Sequence, residues 1–90
     1  GGYRREWDVM AVVEDCRDGF VYCEQRNKFF KGDTLESLEP GKKPQSFVVT
    51  ELFDENGEPI DSTPRAMMKF KIHSDLKFVP GTILRKQNIK

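Results

Sequence analysis

The 90 residues predict an all-β fold, a small closed or nearly closed β-barrel of about six strands. Three observations carry that expectation. Helix signals are scarce, whereas short β-branched and aromatic runs recur. Asp18-Gly19 supplies the positive φ angles of a tight hairpin turn, and Asn56-Gly57 is another strong turn signal. In AMMKFKI, Ala66, Met68, Phe70 and Ile72 fall on one face and Lys69, Lys71 and His73 on the other, the period-two pattern of a half-buried strand.

The elements follow in order. Trp7 to Cys16 is rich in valine and leads to Asp18-Gly19, after which Phe20 to Gln25 returns as the second strand. In that hairpin Cys16 is expected opposite Val21 and Glu14 opposite Cys23, so the two sulfurs are diagonal neighbours, too far apart for an unstrained bridge. Gly32-Asp33 breaks the chain before Thr34 to Leu38, and PGKKP is a turn by composition. Ser46 to Phe53 reads as one continuous strand ending at DENGEP. The AMMKFKI strand is followed by the turn Val79-Pro80-Gly81 and a last strand, Thr82 to Gln87, with a frayed helix from Arg85 as the alternative. Apolar residues at both parities between Val9 and Val13 imply a strand buried on both sides or crossing the barrel.

This length suits one domain, residues 1–90, with a modest core and no deep interlobe cleft. Gly1 and Gly2 have the character of a cloning remnant and are left out of the fold. Lys and Arg balance Asp and Glu at 15 each, which argues against a very basic nucleic-acid binder. The balance is uneven along the chain: residues 51–61 hold five acids and no base, residues 62–90 seven bases and one acid. No apolar run approaches the roughly 20 residues of a membrane helix, so no membrane partner is expected. Two cysteines without a framework point to reduced thiols and a cytoplasmic setting, although an address signal could lie in a missing upstream part.

Groupings for catalysis are missing. His73, the one histidine, lies on the polar side of its strand, and no zinc spacing, EF-hand loop, GxGxxG or GxxxxGK[ST] occurs. No catalytic residue, metal or cofactor is therefore assigned. Surface recognition remains, because a small barrel can stack bases on aromatic rings while lysines neutralise phosphates. The candidates are Gln25, Arg26, Asn27, Lys28, Phe29, Lys69, Lys71 and Lys86. For each lysine the plain alternative is a solvated face, and for Gln25, Arg26 and Asn27 it is hydrogen bonding that knits the barrel rim. Of the adjacent Phe29 and Phe30, one is expected inside and one outside.

Several segments together carry a resemblance: Val13 to Gly19, EQRNKFFKGD from Glu24 to Asp33, FDENGEPID from Phe53 to Asp61, MKFKI from Met68 to Ile72, and LRK from Leu84 to Lys86. Together they resemble the carboxy-terminal domain of the U32 peptidase family, the collagenase-like proteases. The resemblance implies a barrel similar to domain 2 of translation GTPases, in a fragment of a larger protein whose amino-terminal part carries the activity. It also implies an accessory role rather than an independent hydrolase. Family members are named for collagen proteolysis, and related bacterial members act in hydroxylating a tRNA uridine. The implied partners are the chain's own amino-terminal catalytic domain and a substrate, tRNA or protein. The alternative role is a structural module that docks on that catalytic domain through the Phe29/Phe30 edge.

Overall fold

The structure, a computed structural model, describes residues 5–63 and 67–89, and no helix occurs among them. Seven strands form one antiparallel sheet: β1 (Arg5–Arg17), β2 (Phe20–Gln25), β3 (Thr34–Leu38), β4 (Gln45–Val48), β5 (Leu52–Asp54), β6 (Lys69–His73) and β7 (Ile83–Ile89). Their order is β4-β3-β7-β1-β2-β6-β5. The two edge strands, β4 and β5, are joined by only three residues, which span at most about 14 Å from the end of one strand to the start of the other. The sheet must therefore curl, and it forms a half-barrel whose edge strands β4 and β5 do not pair with each other.

The expected strand from Ser46 to Phe53 is in fact two. Fully buried Val49 plugs the core, and its backbone pairs with the Gly32-Asp33 turn: Val49 N donates to the Asp33 carbonyl at 2.9 Å, and Gly32 N to the Val49 carbonyl at 2.7 Å. Those bonds turn the chain away from β3 and toward β6. The tail also continues as strand, not helix, because β7 pairs with both β1 and β3. Ala66 lies outside the described residues. The rest of its segment keeps the expected alternation, with Phe70 and Ile72 buried and Lys69 and His73 exposed.

Asp18 and Gly19 take φ values of 54° and 80°, the paired positive angles of the tight turn between β1 and β2. Cys16 lies opposite Val21 as expected, but Val13, not Glu14, lies opposite Cys23. The register shifts between Val13 and Asp15, so Glu14 is the extra residue of a bulge and its carboxylate swings outward. A second shift between Val9 and Ala11 leaves Met10 unpaired with β7, which lets Met10 and Ala11 both be buried. That explains the apolar run at both parities. Phe29 and Phe70 meet edge to face in the core, with centroids 5.3 Å apart, surrounded by Leu35, Leu52, Ile72 and Leu84. Both cysteines are free thiols.

Candidate functional site

The residues 24–33 that the sequence singles out form, for the most part, the barrel's own framework. Alternation along β2 turns Val21, Cys23 and Gln25 inward. Gln25 is buried: its Nε2 donates to the Thr63 carbonyl at 2.8 Å, and its backbone exchanges bonds with Met67 and Met68. Its Oε1 has no partner among the described residues. The carbonyl of bulged Met10 accepts the N–H groups of Arg26 and Asn27 at 2.7 and 3.1 Å, and Asn27 Nδ2 donates to the Val9 carbonyl at 2.7 Å. Asp33 Oδ2 accepts the Phe30 N–H at 2.9 Å and closes the Gly-Asp turn.

Two expected contacts are corrected here. Gln25 and Phe29 are enclosed in the core and present no surface to a ligand; the exposed ring of the pair is Phe30, at 50%. Three of the expected cations are already neutralised. Arg26 pairs with Glu24, Lys69 with both Glu14 and Glu24, and Lys86 with Asp33 at 3.1 Å. The Arg26 guanidinium, then the Lys69 ammonium, holds the Glu24 carboxyl below its usual range, and Glu14 followed by Glu24 raises Lys69. Lys28 lies over the Phe30 ring, 5.3 Å from its centroid, and Lys71 over Phe20. Neither has a carboxylate partner among the described residues.

Lys71 belongs to a cluster that the candidates only touched. Register places Phe20 beside His73, and Tyr22 beside Lys71 and across from Asp15, all on the face away from the core; Phe53 pairs with Lys71 from the other side. Phe20 meets Phe53 at 5.8 Å and His73 at 5.4 Å, both edge to face. Lys71 Nζ lies 4.5 Å from the Phe20 centroid and 5.8 Å from that of Tyr22, while the Arg17 guanidinium covers Tyr22 at 4.0 Å. Arg17 is oriented by Asp15, whose hydrogen bond raises its pKa. Beside the strip, Tyr22, Lys69 and Lys71 with Glu14, Asp54 and Glu55 line a shallow pocket of about 110 Å³.

Planar rings flanked by cations can stack bases or other planar groups and attract anions. The signal for Phe20 and Tyr22 was present in the sequence. Once Val21 and Cys23 are assigned to the core, Phe20 and Tyr22 must face outward. Phe53 could not be placed while Ser46 to Phe53 read as one strand.

The thiols offer little chemistry. Burial pushes the Cys23 pKa far up, and Cys16 Sγ accepts the Phe78 N–H at 3.3 Å. Among the described residues no three His, Cys, Asp or Glu gather to hold a metal, and no helix is long and apolar enough to cross a membrane.

The sequence profile described as "Peptidase family U32 C-terminal domain" matches residues 5–85. The tRNA hydroxylation protein P1 of Bacillus subtilis (strain 168) is 34% identical over 80 residues, which cover 87% of this chain and 18% of that protein. The chain thus spans about a fifth of that relative's length. Two crystal structures of the C-terminal domain of a U32 peptidase from Geobacillus thermoleovorans share the fold. The selenomethionine variant has a TM-score of 0.82 at 23% identity, covering 88% of this chain and 99% of that one. The second has a TM-score of 0.80 at 21% identity, covering 89% and 91%.

Proposed function

The chain belongs to the U32 peptidase C-terminal domain family, and we propose that it is a non-catalytic accessory barrel that holds RNA for a U32-type parent protein. The observation that carries this reading is the outer strip of Phe20, Tyr22 and Phe53 with Lys71 and Arg17 laid over the rings. Bases of single-stranded or looped RNA stack on such rings, and Lys71, with no carboxylate partner among the described residues, is available to a phosphate. The name of the Bacillus relative, a tRNA hydroxylation protein, favours RNA over a protein substrate. Free thiols suit a cytoplasmic parent. Catalysis is left to the amino-terminal part of that parent: among the described residues His73 meets Glu51 and the Phe20 ring and neither thiol, and burial raises the Cys23 pKa.

The test is binding of the domain to bulk tRNA, with denatured collagen as a control, at low and physiological salt. Binding that weakens with salt and drops in Tyr22→Ala supports the reading; no tRNA binding at low salt overturns it.

A second reading has its own observation. The rim around residues 26–30 exposes Phe30, Met67 at 60% and Val9 at 37%, an apolar set that suits docking on the amino-terminal catalytic domain. Phe30→Ser would weaken that association. Unchanged association would remove this reading.

A further inference from the structure

The outer face carries a second aromatic platform, on the other half of β1. Trp7 pairs with Gln87, and Arg85 with both Val9 and Glu36, so Trp7, Arg85, Gln87 and Glu36 share the face away from the core. The Arg85 guanidinium lies 3.9 Å from the Trp7 ring centroid. Its own orientation is fixed by Glu36, whose Oε1 accepts from Nε at 3.0 Å and also from a terminal nitrogen. The guanidinium thereby packs against the indole, which remains 38% exposed. It borders a groove of about 500 Å³ shared with Thr34, Glu36, Ser46, Lys86 and Gln87.

A partly exposed indole beside hydroxyl, amide and carboxylate groups matches what a nucleobase needs: a stacking surface and partners for its polar edge. The cations here are paired, Arg85 with Glu36 and Lys86 with Asp33, so stacking rather than charge dominates this half. Trp7 stands eight residues along β1 from Asp15, the partner of Tyr22, a distance on the order of 25 Å for extended strand. One strand of a few nucleotides reaches both platforms, within the roughly 4–16 nucleotides that small barrels hold.

We infer that the Trp7 groove is a second base-stacking site, which takes one nucleobase of the same single-stranded RNA whose other bases lie on the Phe20–Tyr22 strip. This rests on the RNA reading above. Trp7 is the chain's one tryptophan, so the site reports on itself.

The probe is a labelled single-stranded RNA of about 12 nucleotides, followed by both its anisotropy and Trp7 emission. The expected result is quenching with the same midpoint as the anisotropy. Trp7→Ala should weaken binding by at least about fivefold and Trp7→Phe by less, while Tyr22→Ala should still quench at higher RNA concentration. RNA binding with unchanged Trp7 emission, together with Trp7→Ala affinity within about twofold of the parent, overturns this site alone. No RNA binding under any salt condition overturns the site and the RNA reading together.

Discussion

Lys71 Nζ sits 4.5 Å from the centre of the Phe20 ring, on the outer face of the barrel, with no carboxylate partner among the described residues. Lys69, two residues earlier on the same face, is held by Glu14 and Glu24. The same strand thus carries one cation available to an anionic ligand and one already neutralised. Lys71→Ala should lower tRNA affinity and reduce the slope of log affinity against log salt by about one, while Lys69→Ala leaves both nearly unchanged. Filter binding across a salt series checks this pair.

The adjacent phenylalanines should separate stability from surface role. Phe29 is fully buried against Phe70, so Phe29→Ala should destabilise the domain by about 3–5 kcal/mol in urea unfolding. Phe30→Ser, at an exposed position, should change stability by no more than about 0.5 kcal/mol. Equal effects of the two would contradict the inward and outward assignments.

Acid should weaken the fold partly through Glu24. Its pKa is depressed in the folded state, by Arg26 first and Lys69 second, so the unfolded chain binds more protons across the acid range and stability rises with pH there. The contribution is complete above the usual carboxylate range and is lost as pH falls through the lowered folded value. Thermal melts from neutral to acidic pH should show a shallower decline for Glu24→Gln than for the parent.

Cys23 should be chemically silent in the native domain. Burial raises its pKa and removes it from solvent, so iodoacetamide at neutral pH should leave it unmodified until denaturant is added. Peptide mass mapping before and after unfolding reads this directly; native modification at Cys23 would contradict its placement.

Much of the barrel was readable because local patterns agreed with the fold. The Asp18-Gly19 turn and the alternation through Phe70 and Ile72 each had one interpretation. What escaped was non-local. The bulges at Glu14 and Met10 arise from matching β1 to β2 and β7, which no short window reveals. The break at Val49 depends on a partner turn at Gly32-Asp33. The site was harder still. A polar QRN run beside two phenylalanines looks like a contact surface, yet its bonds are used internally, on Thr63, Met10 and Val9. The aromatic strip is assembled from β2, β5 and β6, and only their register brings Phe20, Phe53 and Lys71 together.

The most direct measurement is an NMR titration of the ¹⁵N-labelled domain with tRNA at low salt, read residue by residue. RNA recognition by the outer strip predicts amide shifts concentrated at Arg17, Phe20, Tyr22, Phe53, Lys71 and His73. Shifts confined to residues 26–30 and Met67, or no shifts at saturating tRNA, would contradict it.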